Sequence, residues 1–259
     1  MPLQLGRQPR RLYETNTLKQ VICQLKHPYQ HAYDSQAYLG IFQRELSTLF
    51  PRSGRQQQVG LLIGPGGAVQ TPSTEFWRFT DLNEEWAVGI AQDFVSLEAN
   101  AYTRFEDFIE RLELLIDTLV ELRVSVRERL GFRFVNEIRH PDAALPVDWR
   151  RFINGDLLGM VGGEVLGNDV IHALQDIRLR EADGIIALRH GFMGAEATGN
   201  GPVYSLDLDY FDESTRALDK AQTLAQVRSF HLVLKDVFET SITDELRAHL
   251  VVREELPAL

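Results

Sequence analysis

The sequence predicts an α+β fold built from two antiparallel sheets, each backed by a long amphipathic helix, with a degenerate internal duplication relating the two halves. Three observations carry this. Phe105, Phe108, Ile109, Leu112, Leu115, Ile116, Leu119 and Leu122 keep one apolar helical face over about five turns. Two segments, Val124–Ile138 and Val203–Phe211, alternate apolar and polar residues as a half-buried strand does. Val95-Ser96-Leu97-Glu98 and Tyr204-Ser205-Leu206-Asp207 are similar strand endings, and each leads through polar residues into a long amphipathic helix.

The elements follow in chain order. Residues 1–16 read as an N-terminal arm. Residues 17–140 form a first sheet–helix unit and 147–259 a second, with Pro141–Pro146 as the linker. Leu18 to Leu25 is a strand that stops at His27-Pro28. Tyr38, Ile41, Phe42, Leu46 and Leu49 keep helical spacing, Asp34 or Ser35 can cap that helix, and Pro51 ends it. Val59–Ile63 is a strand running into the turn Gly64-Pro65-Gly66-Gly67, and Phe76–Phe79 and Trp86–Leu97 complete a meander. The eight apolar side chains of the long helix, at about 1.5–3 kcal/mol each, anchor the first half. Beyond the linker, Trp149–Val161 reads as a short helix broken by Gly162-Gly163. Ile171–Arg180 and Gly184–Gly191 read as a hairpin, and Ala195–Pro202 as a Gly-rich connection. The last helix carries Leu224, Val227, His231, Leu234 and Phe238, stepping 3, 4, 3 and 4 residues.

The chain has 259 residues, ordinary globular hydrophobicity at 44% and a net charge of −10. Residues 1–60 hold eight basic side chains against three acidic, a net +5, and the remainder is −15. An acidic body argues against general affinity for nucleic acid or anionic membrane, while the basic front end can meet a phosphate backbone or an acidic partner. Cys23 is the sole cysteine, so no intramolecular disulfide forms, as suits a reducing cytosol. Its neighbours Val21 and Ile22 favour a buried structural thiol. With no apolar run behind the N-terminal basic residues and no long apolar stretch, the expectation is a cytoplasmic protein without a membrane segment.

Four groups can carry chemistry. Arg127, Arg129 and Arg133 fall on one face of an unbroken strand. They can grip phosphates or a carboxylate-bearing ligand, or they can pair with Glu98, Asp207 or Asp209 on neighbouring strands. Asp207 and Asp209, with Asp212 and Glu213, can hold Mg²⁺ or Mn²⁺, or can be paired and solvated acids. His231 lies on the apolar stripe of the last helix and reads as a core residue. The Gly64–Gly67 turn lacks the Gly-Lys-Ser/Thr ending of a phosphate loop. No zinc signature, nucleophile elbow or cofactor motif is present in the sequence.

Trp77-Arg78-Phe79, Trp86, Phe94–Glu98, Tyr102 and Arg129-Leu130-Gly131-Phe132-Arg133-Phe134-Val135-Asn136, with His231 and Phe238–Thr243 near the end, resemble the pattern of an uncharacterised, sporadically distributed prokaryotic family of proteins of about this length. That family is known by a conserved-domain model and has no established activity. Sporadic occurrence implies exchanged genes, such as phage-defence or toxin–antitoxin cassettes.

These readings converge on a non-catalytic binding component, an adaptor or sensor of a prokaryotic accessory system. It would need no cofactor and would dock an acidic, operon-encoded protein partner or a nucleic-acid backbone through Arg127, Arg129, Arg133, Arg10 and Arg11. Self-association is compatible with this. The alternative is a metal-dependent nuclease or other phosphoryl-transfer enzyme, with Asp207 and Asp209 on the ion and Arg129 and Arg133 on phosphate.

Overall fold

A computed structural model describes residues 8–58, 61–64, 67–70, 74–163, 169–199 and 201–256. The chain runs β1 (Arg10–Tyr13), β2 (Leu18–Lys26), α1 (Gln36–Leu46), β3 (Arg52–Gln58), β4 (Leu61–Gly64), β5 (Gly67–Gln70), β6 (Thr74–Thr80), β7 (Trp86–Ile90), β8 (Phe94–Ala99) and α2 (Phe105–Glu121). It continues with β9 (Val126–Arg127), β10 (Arg129–Ile138), α3 (Gly155–Leu158), β11 (His172–Glu181), β12 (Gly184–Met193), α4 (Ala195–Thr198), β13 (Val203–Asp212), β14 (Arg216–Ala217), α5 (Lys220–Ser241), α6 (Asp244–Leu250) and β15 (Val252–Leu256). Helices and strands are mixed, and the principal sheet is large and antiparallel.

Two compact units divide the chain, and both are discontinuous in sequence. Unit 1 comprises Met1–Val21, Phe132–Asp212 and Gln226–Leu259, and unit 2 comprises Ile22–Gly131 and Glu213–Ala225. The Pro141–Pro146 segment expected as a linker therefore lies inside unit 1. Strands β2 and β10 pass through both units.

In unit 2 the strands follow the order β2-β8-β7-β6-β3. The apolar stripe of α2 is buried at Phe108, Ile109, Leu112, Leu115, Ile116 and Leu119. With Cys23 and Leu25 of β2 and Val95 of β8, four of these side chains line a small void beneath the helix, so the stripe lies on the inner sheet face. Ser35 caps α1, its Oγ accepting from the Tyr38 amide at 3.2 Å. β4 and β5 form a hairpin in which Gly64 pairs with Gly67. Pro65 and Gly66 of the expected turn lie outside the described residues, as do Val59 and Gly60.

In unit 1 the order is β11-β12-β13-β10-β2. In β13 Tyr204, Leu206, Leu208 and Tyr210 are buried as expected, but so are Val203, Asp207, Phe211 and Asp212, so the strand is covered on both faces and not half-buried. Phe230 of helix α5 packs on Tyr210, the tilted rings 4.0 Å apart between centroids. A second cluster under β10 and β13 gathers Ile138, Trp149, Phe152, Ile153, Tyr204, Ile242 and Leu246. The expected Trp149–Val161 helix is shorter than its pattern suggests. It is a 3-10 turn over Pro146–Arg151 followed by the single turn of α3, because burying both Trp149 and Phe152 turns the chain inward. The Ala195–Pro202 connection contains the one-turn helix α4.

Residues 10–13 of the expected arm are a strand. β1 pairs antiparallel with β15, Arg11 opposite Glu255, so segments near both ends of the described chain are joined in unit 1.

β12 must approach its neighbours closely. A Cβ on Gly191 would sit 1.9 Å from the Ala173 carbonyl oxygen, and one on Gly184 2.1 Å from that of Phe211. Gly40, inside α1, has nothing within 4 Å of the same position. Gly191→Ala should therefore destabilise the protein by more than about 2 kcal/mol, as overpacking against rigid backbone does. Gly40→Ala should stabilise it by about 0.5–1 kcal/mol by restricting the unfolded chain. Urea unfolding of the two variants should give opposite signs.

Candidate functional site

The strand expected over Val124–Ile138 is interrupted at Glu128, whose amide turns to the Lys26 carbonyl at 2.8 Å. The arginines it was expected to align are thereby separated. Arg127 lies on β9, opposite Arg216 of β14, and is 3% exposed. Arg129 is half-buried. One of its Nη atoms donates to Gln24 Oε1 at 3.2 Å, and its guanidinium lies across Gly131, where a Cβ would come within 2.6 Å of it. Both belong to unit 2, whereas Arg133 belongs to unit 1. The three do not form one open cationic row.

Arg133 faces Asp207 in a two-pronged pair, Nε to Oδ1 and Nη2 to Oδ2, both at 2.6 Å. Register then extends the pair into a ladder. Asp207 of β13 lies opposite Arg189 of β12, and Arg189 lies opposite Asp176 of β11. Arg189 reaches Asp207 at 3.4 Å and Asp176 at 3.4 Å. Charges of alternating sign thus cross four strands on one face of the unit 1 sheet: Arg133, Asp207, Arg189, Asp176. Asp207 is 8% exposed, and a carboxylate withdrawn from water that far is stable only when paired. The hydrogen bonds that Arg133 donates to Asp207 hold its guanidinium above the ordinary range, against the opposing effect of burial, with Asp209 adding to the attraction.

Asp209 is half-buried two residues along β13. Among the described residues, no group of three or more His, Cys, Asp or Glu side chains is arranged to hold a metal ion. Beyond Asp209, Arg178 and Arg180 lie exposed on β11 on the ladder face. The sequence contains their signal, a polar residue at every second position against Ile177 and Leu179, but hydrophobic periodicity does not single it out.

Arg11, the other basic candidate, is also engaged. It meets Glu239 of α5 at 3.1 Å and Glu255 of β15 at 3.4 Å. Glu239 is 1% exposed and further accepts from the Tyr13 hydroxyl at 2.9 Å and from Arg247 Nε at 3.1 Å. Burial and the adjoining carboxylate push the Tyr13 phenol well above its usual range. This cluster ties β1, α5 and α6 together. Nothing in the local sequence around Glu239 announces it, because its partners lie up to 228 residues away. Arg10 pairs through its backbone with Leu256, and its side chain lies outside the described residues.

Three of the seven histidines, His27, His190 and His231, take core positions. His231 meets Phe132 and Phe134 edge to face at 6.2 and 5.8 Å. His190 and His27 are fully buried. His190 Nδ1 contacts the Tyr204 hydroxyl at 2.8 Å, while its Nε2 has no hydrogen-bonding partner among the described residues. Burial lowers the pKa of both.

Two measurements follow. Removing the buried Glu239 charge leaves two arginines facing an uncompensated site, so Glu239→Gln should cost about 3–5 kcal/mol. Asp207→Asn, on the more accessible ladder, should cost about 1–3 kcal/mol. Urea unfolding should rank them in that order. A histidine held neutral in the folded state stabilises the protein above the unfolded pKa of 6.5 and loses that contribution as pH falls below it. Stability should drop between pH 7 and 5, and the drop should be shallower in His190→Gln.

No helix among the described residues is long and apolar enough to cross a membrane. Comparison with known proteins finds no family model that matches the chain and no matching curated protein.

Proposed function

We propose that this chain is a non-catalytic binding component, an adaptor or sensor of a prokaryotic accessory system such as a phage-defence or toxin–antitoxin cassette, and that it belongs with the sporadically distributed family it resembles. The observation that carries the reading is the ladder Arg133–Asp207–Arg189–Asp176. The acid best suited to holding a divalent ion is held by two guanidinium groups, and the arginine best suited to gripping phosphate is held by that acid. Groups so committed shape and stiffen a face.

The docking contact is with an acidic protein partner, and it moves from β10 to β11, where Arg178 and Arg180 are exposed. A body of net charge −10 disfavours a long phosphate backbone as the partner. We also infer that the two halves descend from one duplicated unit. In each, a strand (β2 or β10) precedes a three-strand meander (β6-β7-β8 or β11-β12-β13) and then a long helix (α2 or α5). The acids of the two similar segments, Glu98 near the end of β8 and Asp207 in the middle of β13, each pair with an arginine of the same meander, Arg78 at 2.8 Å and Arg189 at 3.4 Å.

The test is co-purification of the tagged full-length chain with its operon neighbours in the native host. A partner should be retained at low salt and released as salt rises, and Arg180→Glu should weaken its capture about tenfold while leaving the unfolding midpoint unchanged. Incubation with DNA or RNA and Mn²⁺ should give no product that is lost in Asp209→Asn. Such a product would establish the phosphoryl-transfer alternative.

A further inference from the structure

β11 stands first in the strand order of unit 1 and is hydrogen-bonded to β12 on one side. Among the described residues no strand pairs with its other edge, which presents the main-chain donors and acceptors on which a further strand can form. The strand is ten residues long and contains neither proline nor lysine, two of the devices that discourage edge pairing. Leu174 is 54% exposed, and Asp176, Arg178 and Arg180 are exposed beside it. The edge strand of unit 2, β3, is Arg-Ser-Gly-Arg-Gln-Gln-Gln, with no apolar side chain to bury.

We propose that β11 is the interface for a second copy of this chain, the two strands pairing antiparallel about a two-fold axis at Ile177. Opposed residues in an antiparallel pair share a sheet face. Under a two-fold axis normal to the sheet, the two residue numbers of each pair must therefore add to an even total, which leaves few registers. Centring on Asp176 sets that carboxylate against itself, and centring on Arg178 does the same to a guanidinium. Centring on Leu179 opposes Arg178 and Arg180. Centring on Ile177 sets Asp176 of each copy against Arg178 of the other, twice, and Arg180 against Leu174, with an apolar residue on the axis. No like charges face each other in that register. The ladder then continues without a break in sign, running Arg133, Asp207, Arg189, Asp176 and on to Arg178 of the second copy. This complementarity of the strand with itself is what identifies the occupant as another copy. The contact is isologous and closed, so it consumes the edge and does not propagate. Arg180 keeps no counter-charge in the dimer and stays available to the acidic partner.

Sedimentation equilibrium on the full chain tests this. The native protein should approach twice its 29.5 kDa mass as concentration rises through the micromolar range. Arg178→Asp should weaken the dimer at least about tenfold, because two opposite-charge pairs become like-charge pairs. Combining Asp176→Arg with Arg178→Asp should restore it. Because Asp176 also meets Arg189, an independent probe is Ile177→Cys. On mild oxidation it should give a disulfide-linked dimer, since residues on the axis oppose each other within bridging reach and Cys23 is buried. A 29.5 kDa species at every concentration overturns the proposal, and so does a dimer that Arg178→Asp leaves intact or that Ile177→Cys does not cross-link.

Discussion

A carboxylate taken out of water must be met by positive charge, and that requirement organises unit 1. It operates at two places: Glu239, 1% exposed between Arg11, Arg247 and the Tyr13 hydroxyl, and Asp207, 8% exposed between Arg133 and Arg189. Desolvating either group alone would cost several kcal/mol. Each is therefore a point where distant segments have to arrive together: β1, α5 and α6 at the first, and β10, β12 and β13 at the second. The same requirement takes two of the five candidate arginines, Arg11 and Arg133, out of circulation. A cation that neutralises a buried acid is not available to a phosphate.

The ladder depends on register, and register depends on small residues. Arg189 reaches both Asp176 and Asp207 because β12 sits directly opposite each in turn. β12 can lie that close because Gly184 and Gly191 offer no Cβ to the carbonyls of Phe211 and Ala173. A one-residue slip would send Asp207 and Asp209 into the core and turn Tyr204, Leu206, Leu208 and Tyr210 out to the charged face. The buried aromatic stack on the inner face and the ion pairs on the outer face thus select the same alignment, and the edge at β11 inherits it.

Strong periodicity was legible, and so were the elements that depend on it. The α2 stripe, the apolar row Tyr204, Leu206, Leu208 and Tyr210 of β13 and the β11–β12 hairpin all follow from side-chain spacing, since which residues share a face is a local property of a helix or strand. Single-residue interruptions were not legible. Glu128 differs little from its neighbours as a letter, yet the strand breaks there while its amide still bonds to Lys26 of β2, and Arg127 lies buried opposite Arg216. Pairings across long separations were equally hidden. Arg11 and Glu239 stand 228 residues apart, and β1 finds β15 across most of the chain. Arg133 with Asp207 was visible only as one of two alternatives, because a charged row on a strand looks the same from sequence whether or not the next strand carries its counter-ions.

What decides between a binding surface and a structural one is therefore the neighbouring strand. Arg133 has Asp207 beside it, and Arg189 has an acid on each side. Asp176 has Arg189 on one side and, on the other, the open edge of β11. An alternating row that stops at an edge leaves its last charge half satisfied, since the opposing strand is where a cross-strand counter-ion would stand. The chemistry that would complete the row is a guanidinium held on an extended strand, on the same face as the carboxylate. This sequence supplies that group two residues further on, at Arg178. Among the described residues, the charged face is accordingly open to a partner only where its internal pairing runs out.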